Sequence, residues 1–279
     1  MKKIFFAQML LFVFVFVPFA GAELDLDQEV LIIPDTHNEK PYIWNVLRNP
    51  KDYDLSIEYD NTASGNDTEY TLTVRSKTDL KIDDIHVFIA DYDLHEYAHI
   101  IPVKKNEDSY SFRYNAAAPG KYRIEIVFRT QKGWINLRKD IKIKVNSKTE
   151  SVKKQGDEDY HVSVKLIPKK VYAEHVVTFL YELNYKGMPL KDIEKIGGAD
   201  MQVASWDEDL KEFLYIIPKQ NMGGPKVAVS IVFVRPGKHA VFAEFKHNEI
   251  IRKVELVVNV LEEPKTDGSH IESLKPSEF

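Results

Sequence analysis

One stretch of this chain occurs twice, and that limits what it can fold into more than any other feature. Asp93-Leu94-His95-Glu96-Tyr97-Ala98-His99-Ile100-Ile101-Pro102 returns as Asp209-Leu210-Lys211-Glu212-Phe213-Leu214-Tyr215-Ile216-Ile217-Pro218. Downstream, Pro119-Gly120-Lys121-Tyr122 returns as Pro236-Gly237-Lys238-His239, and each copy closes on an alternating run, Asp140–Val145 and Lys253–Val258. Both anchor points keep nearly the same offset, about 116 residues. A period that long exceeds a solenoid unit and has the size of a whole domain.

Alternation of apolar and polar residues predicts the same kind of element throughout. The first copy reads as strands at Leu55–Tyr59, Tyr70–Val74, Ile85–Ala90, Tyr97–Val103, Tyr110–Tyr114, Tyr122–Phe128 and Ile135–Val145. The second reads as strands at His161–Ile167, His175–Tyr185, Met201–Ser205, Phe213–Ile217, Val227–Phe233, His239–Phe245 and Ile251–Val260. Seven short strands per copy, with turn residues between them, predict an all-β chain of two tandem immunoglobulin-like β-sandwich domains. The first domain is expected over 23–146 and the second over 160–262, side by side on a polar linker at 147–159, with a disordered tail at 263–279. Residues 23–54 read as an irregular start to the first domain: Glu29–Ile33 as a strand, and Lys40–Arg48 as a short helical turn with Pro41 near its beginning.

The N-terminus adds a compartment. Lys2 and Lys3, the apolar run Ile4–Phe19 and Ala20-Gly21-Ala22 have the layout of a secretory signal peptide, residues 1–22, cut before Glu23. An uncleaved membrane anchor is the alternative, with the run near the lower limit for spanning a bilayer. No later stretch is apolar enough to span, so the mature chain is expected to carry no integral membrane segment and to be periplasmic or secreted. The chain has no cysteine, which excludes disulfides, thiolate metal sites and thiol nucleophiles. A net charge of −5, more negative once the leading lysines are cut away, argues against nucleic acid as a partner. Asn66-Asp67-Thr68 fits a glycosylation sequon.

Chemistry-bearing residues are few. If Ile85–Ala90 and Tyr97–Val103 pair as a hairpin around Asp91–Leu94, His86 falls opposite His99 and Phe88 opposite Tyr97. Opposed Cβ atoms lie about 5 Å apart, close enough for two imidazoles to share one metal ion. His95, at the turn, lies on the same alternation face as His99. Neutral imidazole suits copper or zinc, which usually want a further ligand. The other reading of such a pair is a polar surface contact or a satisfied half-buried one. His239 and His247 bracket a strand and are expected to be exposed near its ends, and Met201 is expected in a core. The carboxylates of Asp83/Asp84, Glu158/Asp159 and Asp207/Glu208/Asp209 read as turn caps. Trp44, Trp134 and Trp206 fall near strand ends or loops, packed at edges or open to a partner.

The repeated core resembles the YtkA-like family of secreted bacterial sandwich domains. Their pattern is His-(aliphatic strand)-Ser-Glu-Asp-Leu-x-x-Phe-x-His-x-His-Pro, followed by a Pro-Gly-x-Tyr strand. It covers roughly Ile85–Val145 and Ala199–Val260 here. His86 and His99 match the strand histidine and the first of His-x-His-Pro, and Ile101 stands at the second. In the second repeat those places hold Gln202, Tyr215 and Ile217. The resemblance implies periplasmic metal handling, often of copper, and no established enzymatic activity. Two expectations follow. The first is a non-enzymatic binding module without a cofactor that engages an envelope or extracellular protein partner. The alternative is a copper- or zinc-handling protein with its site at His86, His99 and His95 in the first domain.

Overall fold

The computed structural model describes residues 46–48, 50–59, 68–78, 81–131, 133–144 and 159–262. The signal peptide, the strand expected at Glu29–Ile33, Trp44, the sequon asparagine, nearly all of the linker and the tail lie outside the described residues. Among the described residues every regular element is a strand, and no helix is long and apolar enough to cross a membrane.

The first copy forms β1 (Val46–Arg48), β2 (Tyr53–Tyr59), β3 (Thr68–Ser76), β4 (Asp83–Asp91), β5 (Tyr97–Ile100), β6 (Val103–Lys104), β7 (Ser109–Tyr114), β8 (Gly120–Thr130) and β9 (Gly133–Ile143). They make two sheets, ordered β1-β9-β8-β4-β5 and β2-β3-β7-β6. The second copy forms β10 (Tyr160–Ile167), β11 (Val171–Tyr172), β12 (Val176–Tyr185), β13 (Met188–Pro189), β14 (Met201–Asp207), β15 (Phe213–Ile216), β16 (Lys226–Val232), β17 (Gly237–His247) and β18 (Ile250–Leu261). Its sheets are ordered β11-β18-β17-β14-β15 and β10-β12-β13, with β16 also on β12.

Each pair of sheets closes on its own core. Leu72, Val87, Ile89, Ile124, Ile126 and Phe128 centre the first, and Phe179, Tyr181, Val203, Val229, Val241 and Phe245 the second. A third cluster joins Phe88, Ala90, Tyr97 and Val127 from the first copy to Ala204, Trp206, Leu210, Phe213 and Phe242 from the second. Among the described residues the two five-stranded sheets therefore pack face to face, and the four sheets stack in order. Burial records this directly. The outer-sheet strand β10 alternates between half-buried and exposed along its whole length, whereas all seven residues of β14 are buried. A strand covered on both faces has no solvent side on which to place polar residues.

Two expected elements are corrected. Residues 46–48, read as part of a helical turn, are a strand in parallel register with β9, Val46 beside Trp134. An open sheet edge offers unpaired backbone groups, and parallel pairing satisfies them. Tyr97–Val103, read as one strand, is two. It breaks at Ile101-Pro102 and continues as β6 in the other sheet. Pro102 has no N–H to donate to a ladder, so the chain changes sheets there.

The repeated motif is a turn. Asp91 N–H donates to Glu96 O at 3.2 Å, Leu94 N–H donates to Asp91 O at 3.2 Å, and Glu96 N–H donates to the Asp91 carboxylate at 2.7 Å. The second copy repeats it: Asp207 N–H donates to Glu212 O and Leu210 N–H to Asp207 O, while the Asp207 carboxylate takes the N–H groups of Lys211 and Glu212. Leu94 and Leu210 both sit at positive φ, 56° and 55°. The glutamate that ends each turn then anchors the loop before the Pro-Gly strand. Glu96 accepts Tyr114 OH at 2.7 Å, Tyr122 OH at 2.8 Å and Ala117 N–H at 3.0 Å. Glu212 accepts the N–H groups of Val234 and Arg235, both at 2.8 Å. Asp-x-x-Leu-x-Glu is thus kept twice because one carboxylate shapes the turn and the next ties it to a neighbouring loop.

Candidate functional site

His86 and His99 meet, although not in the register expected. The ladder pairs Phe88 with His99 and Ala90 with Tyr97, a slide of two residues from His86 opposite His99. The carboxylate of Asp91 caps the N–H of Glu96, so the turn spans 92–95 rather than 91–94. A slide of two leaves every side chain on its original face. The two rings therefore still touch, on the diagonal, with His86 Nδ1 3.0 Å from His99 Nε2. The Phe88 ring stacks on that of His99 at 4.4 Å and 10°.

The face that carries them is buried in the joint between the sandwiches. His99 Nδ1 donates to Glu244 Oε2 of β17 at 2.7 Å, with the side chains 2 % and 1 % exposed. Lys253 of β18 stands 3.6 Å from the other oxygen of Glu244 and donates to Tyr97 O at 3.1 Å. Tyr215 OH of β15 lies 3.4 Å from His86 Nε2 and 3.3 Å from Gln202 Oε1, and Gln202 Nε2 donates to Ile196 O at 2.7 Å. On the near side, a bulge between Asp83 and His86, with Asp84 at φ 52°, aims the Asp84 carboxylate at His86 Nε2 at 3.4 Å. Bulges re-aim side chains in this way. Gly197, at φ 54°, closes the site from the second sandwich; a Cβ there would stand 2.8 Å from Gln202 Nε2 and 3.4 Å from His86 Cε1.

The proton inventory follows from these partners. Glu244 accepts from His99 Nδ1–H, and the facing nitrogens, His99 Nε2 and His86 Nδ1, share one proton between them. Burial, then the charge of His99, hold the pKa of His86 down at about 4, against the pull of Asp84. Burial likewise pushes the Tyr215 hydroxyl well above its usual range.

Around this chain the joint is aromatic and clamped. Tyr97 stacks on Phe242 at 4.4 Å and 9°, and meets Trp206 edge-on at 5.8 Å. Arg123 Nη1 donates to Leu210 O, and Arg138 Nη2 to Lys211 O at 3.3 Å, so two arginines of the first sandwich hold the repeated turn of the second. Glu125, fully buried, accepts Arg138 Nε at 2.7 Å and Asn136 Nδ2 at 3.0 Å. Burial raises its pKa, against the pull of Arg138.

His95 is elsewhere. It is exposed at the turn, where its ring and the carboxylates of Asp91 and Asp93 offer ligand atoms within 4.8 Å of one another. Ile101 is exposed beyond the end of β5. His239 and His247, expected to be exposed, are buried at 0 % and 5 %. His239 Nε2 donates to Arg235 O at 2.8 Å and packs on Phe233, while His247 is held between Tyr160 OH and Asp192. Each imidazole found a partner inside, where an apolar strand end alone suggested solvent. Met201 is in the second core, and Asp207 caps its turn as expected.

Glu244, Tyr215, Lys253 and Gln202 belong to the site and were not read as such from the sequence. Tyr215 and Gln202 are the repeat counterparts of His99 and His86, so the same face of each copy meets the other. The available signal for Glu244 was a single carboxylate inside the apolar run Ala240–Phe245.

A family model described as a domain of unknown function, DUF8832, matches residues 153–262, a span that contains β10 to β18. No curated protein matches the chain. Among solved structures, the chain is similar to a DUF4785 family protein from Legionella pneumophila at 9 % identity and TM-score 0.28, covering 76 % of this chain and 56 % of that one. It is similar to dimeric latent PorU from Porphyromonas gingivalis at 12 % identity and TM-score 0.27, covering 76 % and 20 %. It is also similar to FdeC, an Escherichia coli adhesin, at 11 % identity and TM-score 0.24, covering 75 % and 64 %. The chain spans less than two thirds of each of these proteins.

Proposed function

We propose that this chain is a non-enzymatic, secreted or periplasmic binding module that presents the edges and loops of a four-sheet body to an envelope or extracellular protein partner. The observation that carries the reading is the use made of its reactive side chains. His86, His99, Glu244, Glu125, Glu96 and Glu212 are each committed to holding one sandwich together or one sandwich to the other. A joint built this way fixes the spacing of the outer surfaces, which favours a partner that touches both. The outer edges carry apolar side chains that a partner can cover, such as Ile101 and Val103, 53 % and 64 % exposed where the chain passes between sheets. The leader sequence supports an address outside the cytoplasm, and the likeness to YtkA-like domains agrees with it.

The test is in-situ cross-linking of the tagged full chain in envelope preparations, beside an Ile101→Asp/Val103→Asp variant. Recovery of one defined protein, reduced at least about tenfold in the variant, supports the module. Recovery that is equal for both, or absent, overturns a role for this edge.

A second reading, metal handling, is favoured by one observation: the close approach of Asp91, Asp93 and His95. Two carboxylates and an imidazole suit zinc or copper(II). His86 and His99 fit that role less well, because the facing nitrogens share one proton at 3.0 Å and a metal must displace it. Titration with zinc and copper(II) decides: one-to-one binding lost in His95→Ala carries the metal reading, and binding indifferent to His95 ends it at this turn.

A further inference from the structure

The second sandwich leaves its last strand paired on one side only. β18 pairs with β17 from Ile250 to Val260, but its other side meets only β11, at Val260 and Leu261. Among the described residues no strand pairs with that side from Ile250 to Asn259. The first copy treats the counterpart stretch differently. Trp134–Asn136 of β9, which match Ile251–Lys253 by the register of the two Pro-Gly strands, carry β1. We propose that the open edge of β18 is a dimer interface, on which β18 of a second copy of this chain pairs antiparallel about Val254. This goes beyond the binding role and stands or falls separately from it.

The backbone fixes which groups this edge offers. Leu261 O accepts Ala173 N–H at 2.9 Å on the β11 side, and β18 runs without a register shift from Val260 back to its hairpin with β17. Successive residues in an antiparallel ladder turn their N–H and C=O to opposite sides. Val257, Glu255, Lys253 and Ile251 therefore face outward with Leu261. A long open edge is a template for a further strand unless something blunts it. β18 has neither a proline nor a bulge, and only its charges remain as a defence. Its inward side chains are incompletely covered as well. Val254 and Leu256 pack on the second core yet stay half-buried, whereas Val258 and Val260, nearest β11, are buried.

The charges select the partner. On one face of the strand the row Ile251, Lys253, Glu255, Val257 reads apolar, positive, negative, apolar. Turned antiparallel on itself about Val254, that row sets Lys253 opposite Glu255 and Ile251 opposite Val257, on both sides of the axis. Opposite charges and apolar pairs placed across from each other stabilise a ladder, and like charges destabilise it. A register centred on Lys253 or on Glu255 opposes like charges; slides further out set Lys253 against Ile251 or Glu255 against Val257. A register one residue off sets outward groups against inward ones. Lys253 is 29 % exposed beside Glu244, within reach of a carboxylate from outside. Ile251 and Val257, 45 % and 75 % exposed, cover each other in the pair. The paired window runs from Ile250 to Val258 and ends before Val260, where β11 begins. Such a two-fold contact is self-complementary and closes at two copies.

Sedimentation velocity of the full chain from about 1 μM to about 100 μM reads the assembly, with circular dichroism to confirm that the sheets persist in each variant. The expected result is a reversible monomer–dimer equilibrium. Glu255→Lys, which sets Lys opposite Lys on both sides of the axis, is expected to raise the dissociation constant at least about tenfold. Val257→Asp, at an exposed position, is expected to weaken the dimer while leaving the charge pairs in place. Val254→Cys reads the register. The chain has no cysteine of its own, and at the axis the two Cβ atoms lie about 5 Å apart, so mild oxidation is expected to give a covalent dimer. Ser56→Cys on β2, exposed on the first sandwich, is expected to give none. A chain that stays monomeric at the highest concentration, a dimer indifferent to Glu255→Lys, or Val254→Cys cross-linking no faster than Ser56→Cys overturns the pairing. Capture of this edge by a different protein, with the chain alone monomeric, overturns the second copy as its occupant.

Discussion

Single carboxylates do unusually local work here. Glu96 satisfies two tyrosine hydroxyls and one backbone N–H, and its counterpart Glu212 satisfies two N–H groups. Removing an acceptor leaves buried donors unpaired at about 1–3 kcal/mol for each group that finds no water. Glu96→Ala is therefore expected to cost about 2–4 kcal/mol in urea unfolding, and Glu96→Gln, which keeps one oxygen, about half as much. Gly197 works by absence: an added Cβ collides with the Gln202 amide and presses on His86, on a backbone at φ 54° that costs an L-residue roughly 1 kcal/mol. Gly197→Ala is expected to lose about 1–3 kcal/mol in the same assay and to raise hydrogen exchange at β4 and β14. Exchange unchanged in those strands would show that Gly197 does not support the joint.

At the scale of elements, what sets this protein apart is that its central strands are buried on both faces. Phe88 belongs to β4 but lies against His99, Phe213 and Tyr215 rather than the core of its own sandwich. Phe88→Ala is expected to cost about 3–5 kcal/mol, read as early loss of the contact between copies rather than loss of the first sandwich. The twin turns give a paired comparison. Leu94 and Leu210 share the same left-handed backbone, so replacing either with Gly relieves the same strain. Leu210 is buried in the joint at 1 %, whereas Leu94 is half-buried. Leu210→Gly is expected to destabilise by about 2 kcal/mol more than Leu94→Gly; equal midpoints in urea would contradict the packing described. The strand positions themselves were legible from alternation, because period two is a local property of the chain. The hairpin register differs from the expected one by two residues, since Asp91 capping Glu96 moves the four-residue turn one position along the chain and no alternation signal reports a slide that preserves faces. That is also why the meeting of His86 and His99 was legible despite the wrong register.

For the whole molecule, the third core couples the two sandwiches. At pH 7.5 calorimetry is expected to show one cooperative transition for both, and near pH 4.5 two, as the joint weakens first. The sign follows from His86: its pKa is lowered on folding to about 4, so its contribution is complete above pH 6.5 and lost on the way down. Two transitions already at pH 7.5 would mean that the contact in the structure couples the sandwiches too weakly to matter. The sequence by itself determined what is local or repeated: strands, turns, two copies of one sandwich, and a histidine pair on one strand face. Tertiary structure alone decided that the same face of each copy would be buried against the other, which put the His86/His99 pair inside a joint. The reason is range. Apolar burial is not directional and leaves no periodic trace of its partner, and His99 and Glu244 meet across 145 residues of chain.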